Sequence, residues 1–151
     1  MIWHVLSRFT DYLYTNQNPQ KMKTPDLYPG NKLTYVSGPI SGRKRIDYLQ
    51  EFRLYADMLR FVGLRPLNPT TMYGFFQSTF NLLPYRLQLM IDLILLSLCR
   101  RIIMLPNWQN SVGANLEYEF SQAFFIETQD PDWLKDQVER RKSINSYNAG
   151  A

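Results

Sequence analysis

Twice along this chain an apolar, β-forming run ends in a glycine-containing loop that leads straight into a stretch with helical spacing, and this succession constrains the fold more than any other feature. The first runs from residues 32–36, Lys32-Leu33-Thr34-Tyr35-Val36, through Ser37-Gly38-Pro39-Ile40-Ser41-Gly42-Arg43. The second runs from residues 101–105 through Pro106-Asn107-Trp108-Gln109-Asn110 into Ser111-Val112-Gly113-Ala114-Asn115-Leu116-Glu117. Strand, loop and helix in that order are the unit from which parallel sheets are wound, and the loops then gather at the carboxyl ends of the strands, where open α/β sheets bind ligands. The expected fold is therefore α/β, a doubly wound (Rossmann-/flavodoxin-like), mostly parallel sheet with helices on both faces.

The remaining elements fit between these two. In residues 47–62, Tyr48, Leu49, Phe52, Tyr55, Ala56, Leu59 and Val62 recur at helical spacing, and Gly63 is suited to end that helix. Residues 64–67 read as a second strand, in which Pro66 demands an edge position. Residues 70–84 read as a loop able to cover a site. A helix over residues 85–99 is apolar nearly all round, with Tyr85, Gln88, Asp92 and Cys99 on one narrow face. One sheet cannot cover so much apolar surface, so a subunit interface is expected. A helix over residues 112–125 follows the third strand, with Ser111 as its N-cap, although Phe124-Phe125-Ile126 could equally begin a further strand. Residues 132–143 complete the chain as a C-terminal helix before a small-residue tail.

At 151 residues the chain is of single-domain size. Residues 1–32 form an N-terminal arm, set off by Pro29-Gly30-Asn31, and residues 33–151 form the domain. A net charge of +4, with cations clustered at Arg43, Lys44 and Arg45 and at Arg140, Arg141 and Lys142, does not favour nucleic-acid binding. The single cysteine, Cys99, fits a reducing compartment, and Met1-Ile2-Trp3-His4-Val5-Leu6 is too short for a secretory signal once Ser7 and Arg8 interrupt it, so a cytoplasmic location is expected. No metal-ligand spacing and no cofactor motif is present. The apolar stretch at 87–105 nearly reaches membrane-span length, but Asp92, Arg100 and Arg101 would each cost roughly 2.5–3.5 kcal/mol in lipid, and it reads as a helix followed by a strand.

The residues able to carry chemistry lie in and beside the two loops. Gly38 and Gly42 let a ligand approach the backbone, Ser41 offers a hydroxyl, and Arg43 meets an anion; a tight turn with a solvated basic loop accounts for the same residues. Gly113 keeps the start of the next helix narrow, and Ser111 can bond a phosphate or simply cap the helix. Glu117 lies about one turn in, and Glu119 is about 200° round from it, so only one of the two can face the crevice. Phe120, Ser121 and Phe124 surround Glu117 at helical spacing, whereas Glu119 is expected in solvent. Asp92, in a run of Leu and Ile, needs either an ionic partner such as Arg86 or Arg100 or an altered pKa. His4, the only histidine, lies in the arm, which disfavours a Ser–His arrangement.

Taken together, these residues resemble the nucleoside 2-deoxyribosyltransferase-like superfamily, which includes the 2′-deoxynucleoside 5′-monophosphate N-glycosidases and an uncharacterised bacterial and phage branch. The resemblance spans about residues 33–126: Tyr35-Val36-Ser37-Gly38-Pro39-Ile40, then Asp92-Leu93, then Leu105-Pro106-Asn107-Trp108, then Ser111 to Glu117 as Ser-x-Gly-Ala-x-x-Glu, the most specific block. It implies Glu117 as nucleophile at C1′ and Asp92 as the group that orients the ligand and protonates the departing base. It also implies a substrate site around Tyr35, Gly38, Ile40, Ser41, Gly42, Arg43, Ser111 and Gly113, with Ser41, Arg43 and Ser111 on a 5′-phosphate. The implied partner is a nucleoside or nucleotide, the implied assembly a homo-oligomer. Arg100 stands where many relatives carry an acid, and residues 1–32 match nothing in the family core. Two other readings share the residues: a non-catalytic nucleotide-binding module, and a nucleic-acid-associated accessory protein using the two basic clusters.

Overall fold

Four strands, all parallel, form one sheet in the order β2-β1-β3-β4 in the computed structural model, which describes residues 32–71 and 83–149. They are β1 (Leu33–Ser37), β2 (Arg65–Leu67), β3 (Arg101–Met104) and β4 (Glu127–Gln129). The helices are α1 (Arg45–Phe61), α2 (Tyr85–Ser97), α3 (Val112–Ala123) and α4 (Pro131–Ala149), with a short 3-10 turn at Trp108–Asn110. Residues 1–31 of the expected arm and residues 72–82 of the expected covering loop lie outside the described residues.

Alternation along β1 and β3 sorts the core into two layers. Leu33, Tyr35, Ile102 and Met104 face α2 and α3, where Leu95, Leu96 and Ala114 meet them. Val36, Ile103 and Leu105 face α1 and α4, packing on Phe52, Leu59 and Leu134. Helices thus cover both faces, as a parallel sheet requires. From β1 the chain moves to β2 on one side, then returns across to β3 on the other. The strand order therefore reverses between β1 and β3, and the crevice opens beyond their carboxyl ends. Pro66 is on the edge strand, where its missing N–H costs no ladder bond.

Two helix ends correct or sharpen the sequence reading. At the end of α1, the N–H of Leu64 donates to Leu59 O (2.9 Å) and that of Gly63 to Arg60 O (3.0 Å), the paired bonds of a Schellman motif with glycine at its left-handed position, φ +90°. The end of α3 repeats the motif: Ile126 N–H donates to Ser121 O (2.8 Å) and Phe125 N–H to Gln122 O (3.4 Å). Here the left-handed residue is Phe125, φ +56°, with its side chain 96% exposed. Residues 124–126 are therefore neither the last turn of the helix nor the start of a strand; they reverse the chain, and β4 begins at Glu127. The C-terminal helix is longer than the expected 132–143. Pro131 opens it, and the carboxylate of Asp130 accepts from Trp133 N–H (2.8 Å), capping its first turn.

Among the described residues no helix is long and apolar enough to cross a membrane, and residues 87–105 divide into α2 and β3 as expected. The helix α2 buries Leu95 and Leu96 but leaves Tyr85, Leu87, Met90 and Ile94 exposed.

Phe125 occupies a conformation that costs an L-residue roughly 1–2 kcal/mol and buries almost nothing in return. Phe125→Gly is expected to stabilise the fold by about 0.5–1 kcal/mol after the greater freedom of glycine in the unfolded chain is counted. Urea unfolding would measure this, and a loss of stability would show that the ring makes a contact that outweighs the strain.

Candidate active site

Tyr35 and Ser37 are two apart on β1, so both side chains leave the sheet on the α2/α3 side. There they meet Glu117, one turn into α3. The Tyr35 hydroxyl donates to Glu117 Oε1 (2.8 Å), and the Ser37 hydroxyl donates to Glu117 Oε2. Glu117 is 7% exposed and Glu119 is in solvent, so the helical period separates the two acids as the sequence implies. Burial pushes the Glu117 carboxyl up to about 7, against the pull of the Ser37 and Tyr35 hydroxyls.

Asp92 comes to the same place from α2. Burial first, then the Glu117 charge, push its carboxyl up to about 8, while Tyr35 pulls it back whenever its hydroxyl donates to Asp92. The altered pKa, one of the two answers open to an acid in this apolar helix, is present at Asp92. Burial and the two carboxylates together keep the Tyr35 phenol well above its ordinary value, and it stays protonated. One phenolic proton cannot serve two carboxylates. The Tyr35 hydroxyl donates to Glu117, and Asp92 lies close enough to both to feel the Glu117 charge and the Tyr35 hydroxyl. Two buried carboxyls pushed upward side by side retain a proton between them near neutral pH.

The other expected site residues divide. Gly38 is needed for packing: a Cβ there would lie 2.8 Å from Leu105 Cβ, so the loop after β1 can cross the end of β3 only with glycine. Gly42 adopts φ +77° in a turn open on all sides. Ile40 packs on the α1/α4 core, on the other side of the sheet from Glu117. Ser111 caps α3 as expected, accepting from Ala114 N–H (3.4 Å). A Cβ on Gly113 would be 3.4 Å from the Tyr85 hydroxyl, so the first residue of α2 stands over the start of α3. Ser41 and Arg43 line a cavity of about 300 Å³ with Pro39, Glu51, Pro106, Asn107 and Asn110. Arg43 is tied there, its guanidinium 2.5 Å from Glu51 Oε2 and 3.3 Å from Pro39 O. Asn107 takes φ +60° to turn the loop after β3 into this lining.

Sequence reading singled out neither Ser37 nor Glu51 nor Tyr85 as a site residue. The period of two from Tyr35 could have found Ser37; Glu51, two helical turns beyond Arg43, gave no local signal. A larger hollow, about 590 Å³, opens at the opposite ends of the strands around Cys99, Arg100, Phe125 and Glu127. Its acid is paired with Arg101 (2.7 Å), and burial pushes its thiol up to about 12, so the reactive groups belong to the crevice. The basic clusters do not form one binding stripe: Arg141 is buried, Lys142 pairs with Glu139 (2.8 Å), and Arg43 pairs with Glu51. Among the described residues no group of three or more His, Cys, Asp or Glu side chains could hold a metal ion.

Residues 32–129, from the first strand through β4, match DUF4406, a domain of unknown function. The chain belongs to this family. No curated protein matches it. The matched segment holds every member of the crevice, so Tyr35, Ser37, Asp92 and Glu117 all lie in the part of the chain that defines DUF4406.

Raised carboxyls leave a signature in stability. The folded state holds protons that the unfolded chain has released, so stability is full below about pH 4 and falls as pH rises through the folded values of about 7 and 8. Glu117→Gln is expected to remove part of that fall, gaining on the order of 1–3 kcal/mol at pH 8.5 relative to its effect at pH 4. Thermal melts across this range test it; parallel curves for the two proteins would mean that Glu117 is ionised normally.

Proposed function

We propose that this protein cleaves the N-glycosidic bond of a nucleoside or nucleoside 5′-monophosphate, with Glu117 as nucleophile and Asp92 as general acid. The observation that carries the reading is a buried Glu117 held by the Tyr35 and Ser37 hydroxyls, with Asp92 nearby, at the carboxyl ends of parallel strands. Two neighbouring carboxyls, one to hold a proton and one to attack, are the groups a retaining glycosidic mechanism uses. The likeness of Ser111 to Glu117 to the deoxyribosyltransferase motif supports the same assignment.

In the reaction, a Glu117 oxygen forms a bond to C1′ as the C1′–N bond breaks, and the electron pair leaves with the base. Asp92 supplies the proton that neutralises the departing base. The covalent glycosyl–enzyme is then opened at C1′ by water, with Asp92, now a carboxylate, accepting its proton, or by a second nucleobase. Tyr35 and Ser37 hold Glu117 ionised and aimed, and release it as the new bond removes its charge.

A second reading has one observation in its favour: both Glu117 oxygens are already taken by hydroxyls, which suits an acid that pins α3 to β1 in a non-catalytic nucleotide-binding module. Incubation with a panel of nucleosides and 5′-monophosphates separates the two. Free base is expected, falling at least about 10³-fold in Glu117→Gln. The pH profile should be a narrow bell with limbs near 7 and 8, and Asp92→Asn should remove the alkaline limb. Binding without base release would favour the module.

The exposed apolar residues of α2 also support assembly with a second copy, because Leu87, Met90 and Ile94 lie on the helix that carries Asp92. Sedimentation at micromolar concentration is expected to show an oligomer, and Met90→Glu with Ile94→Glu to dissociate it. A monomeric parent protein would remove this part of the reading.

A further inference from the structure

The cavity between the two loops holds one cation and one anion in contact. Arg43 reaches it from the end of the first loop, Glu51 from two turns along α1, and their side chains are only 32% and 21% exposed. Lys44 and Arg45 follow Arg43 but are not part of the cavity wall. We infer that Glu51 is a specificity determinant: it sets this cavity to receive the hydroxyl-bearing end of an unphosphorylated sugar and to disfavour a phosphate. The inference rests on the nucleoside reading above and selects the nucleoside over its 5′-monophosphate.

The argument is one of charge and of donor count. A phosphate monoester brings about −1.5 to −2 charges at neutral pH and oxygens that mostly accept. Within a cavity of about 300 Å³ it can reach the Arg43 guanidinium only by displacing the Glu51 carboxylate or by lying next to it. Either way the attraction of one cation is opposed by one anion a few ångströms off. A hydroxyl meets no such conflict, since it donates to the carboxylate and accepts from the guanidinium at once. The glycine of the first loop is already engaged in the fold, with Gly38 packed against Leu105. Pro39 and Pro106 also line the cavity; they follow the ends of β1 and β3, beneath which Ser37 holds Glu117. A sugar whose C1′ is at Glu117 would therefore direct its other end over the strand tips toward Arg43 and Glu51.

The test is isothermal titration of the full chain and of Glu51→Gln with common 2′-deoxynucleosides, their 5′-monophosphates and inorganic phosphate, at low salt and pH 7. The parent protein is expected to bind the nucleosides at least about tenfold tighter than the monophosphates. Glu51→Gln should bind inorganic phosphate and the monophosphates about tenfold tighter than the parent, and adding Arg43→Gln should abolish the gain. Glu51 is at the surface, and matching thermal melts would confirm that the variants fold. A parent protein that prefers the monophosphate overturns the inference. So does equal phosphate affinity in the parent and Glu51→Gln, even if free base is released. Inorganic phosphate reports on the ion pair without any nucleoside, so failure of the nucleoside reading is visible separately, as absent base release alongside a phosphate difference that persists.

Discussion

A carboxylate buried between a helix and a parallel strand is costly unless hydroxyls or cations meet it, and Glu117 is met by two hydroxyls from one strand. That requirement accounts for the least typical part of the sheet. A central parallel strand covered on both faces is ordinarily a run of aliphatic residues. β1 instead reads Leu-Thr-Tyr-Val-Ser, fully buried. Tyr35 spends its ring on the α2/α3 core and its hydroxyl on Glu117, so one side chain supplies both apolar packing and charge stabilisation. The loop that follows can then approach β3 only because Gly38 leaves room for Leu105, and that close approach forms the narrow end of the crevice.

The position of Asp92 follows from the same economy of partners. It arrives on a helix that buries only Leu95 and Leu96 fully, and its carboxyl lies within reach of the Glu117 charge and the Tyr35 hydroxyl. Two acids near one another cannot both ionise cheaply in such surroundings, so a proton is retained at neutral pH. The cost is borne by the fold, and the apolar face that α2 still exposes is the kind of surface whose burial could offset it. Sites that hold chemistry are commonly less stable than an apolar replacement would make them.

Much of this was legible in the residues because periodicity is a strong signal. The helical period separated Glu117 from Glu119, Pro66 assigned the edge, and Gly63 ended α1. What stayed hidden lacked a periodic or compositional mark. β4 is three residues, Glu-Thr-Gln, with no apolar member, and only pairing with β3 makes it a strand. Phe125 occupies a position where glycine is the usual sign, so a helix end looked like a continuation. α4 runs on through Asn, Ser and Ala because its Asp130 cap and Pro131 start it firmly, and propensity at the far end mattered less. The pairing of Arg43 with Glu51 depends on how a turn folds back over a helix, which no spacing rule states.

The reactive groups and the charged cavity lie on opposite sides of the same strand tips, and this division bears on what can bind. Tyr35, Asp92 and Glu117 belong to the α2/α3 layer; Arg43 and Glu51 belong to the α1 side; Gly38 and Pro39 just after β1, and Leu105 and Pro106 just after β3, lie between them. A ligand that engages both must cross the end of the sheet where β1 and β3 are closest. Because Gly38 fixes the height of the ridge and Glu117 fixes the depth on one side, the separation of the two subsites is set by backbone packing. The identity of the side chains sets the charge at each end, and those charges can be changed with least disturbance to the fold.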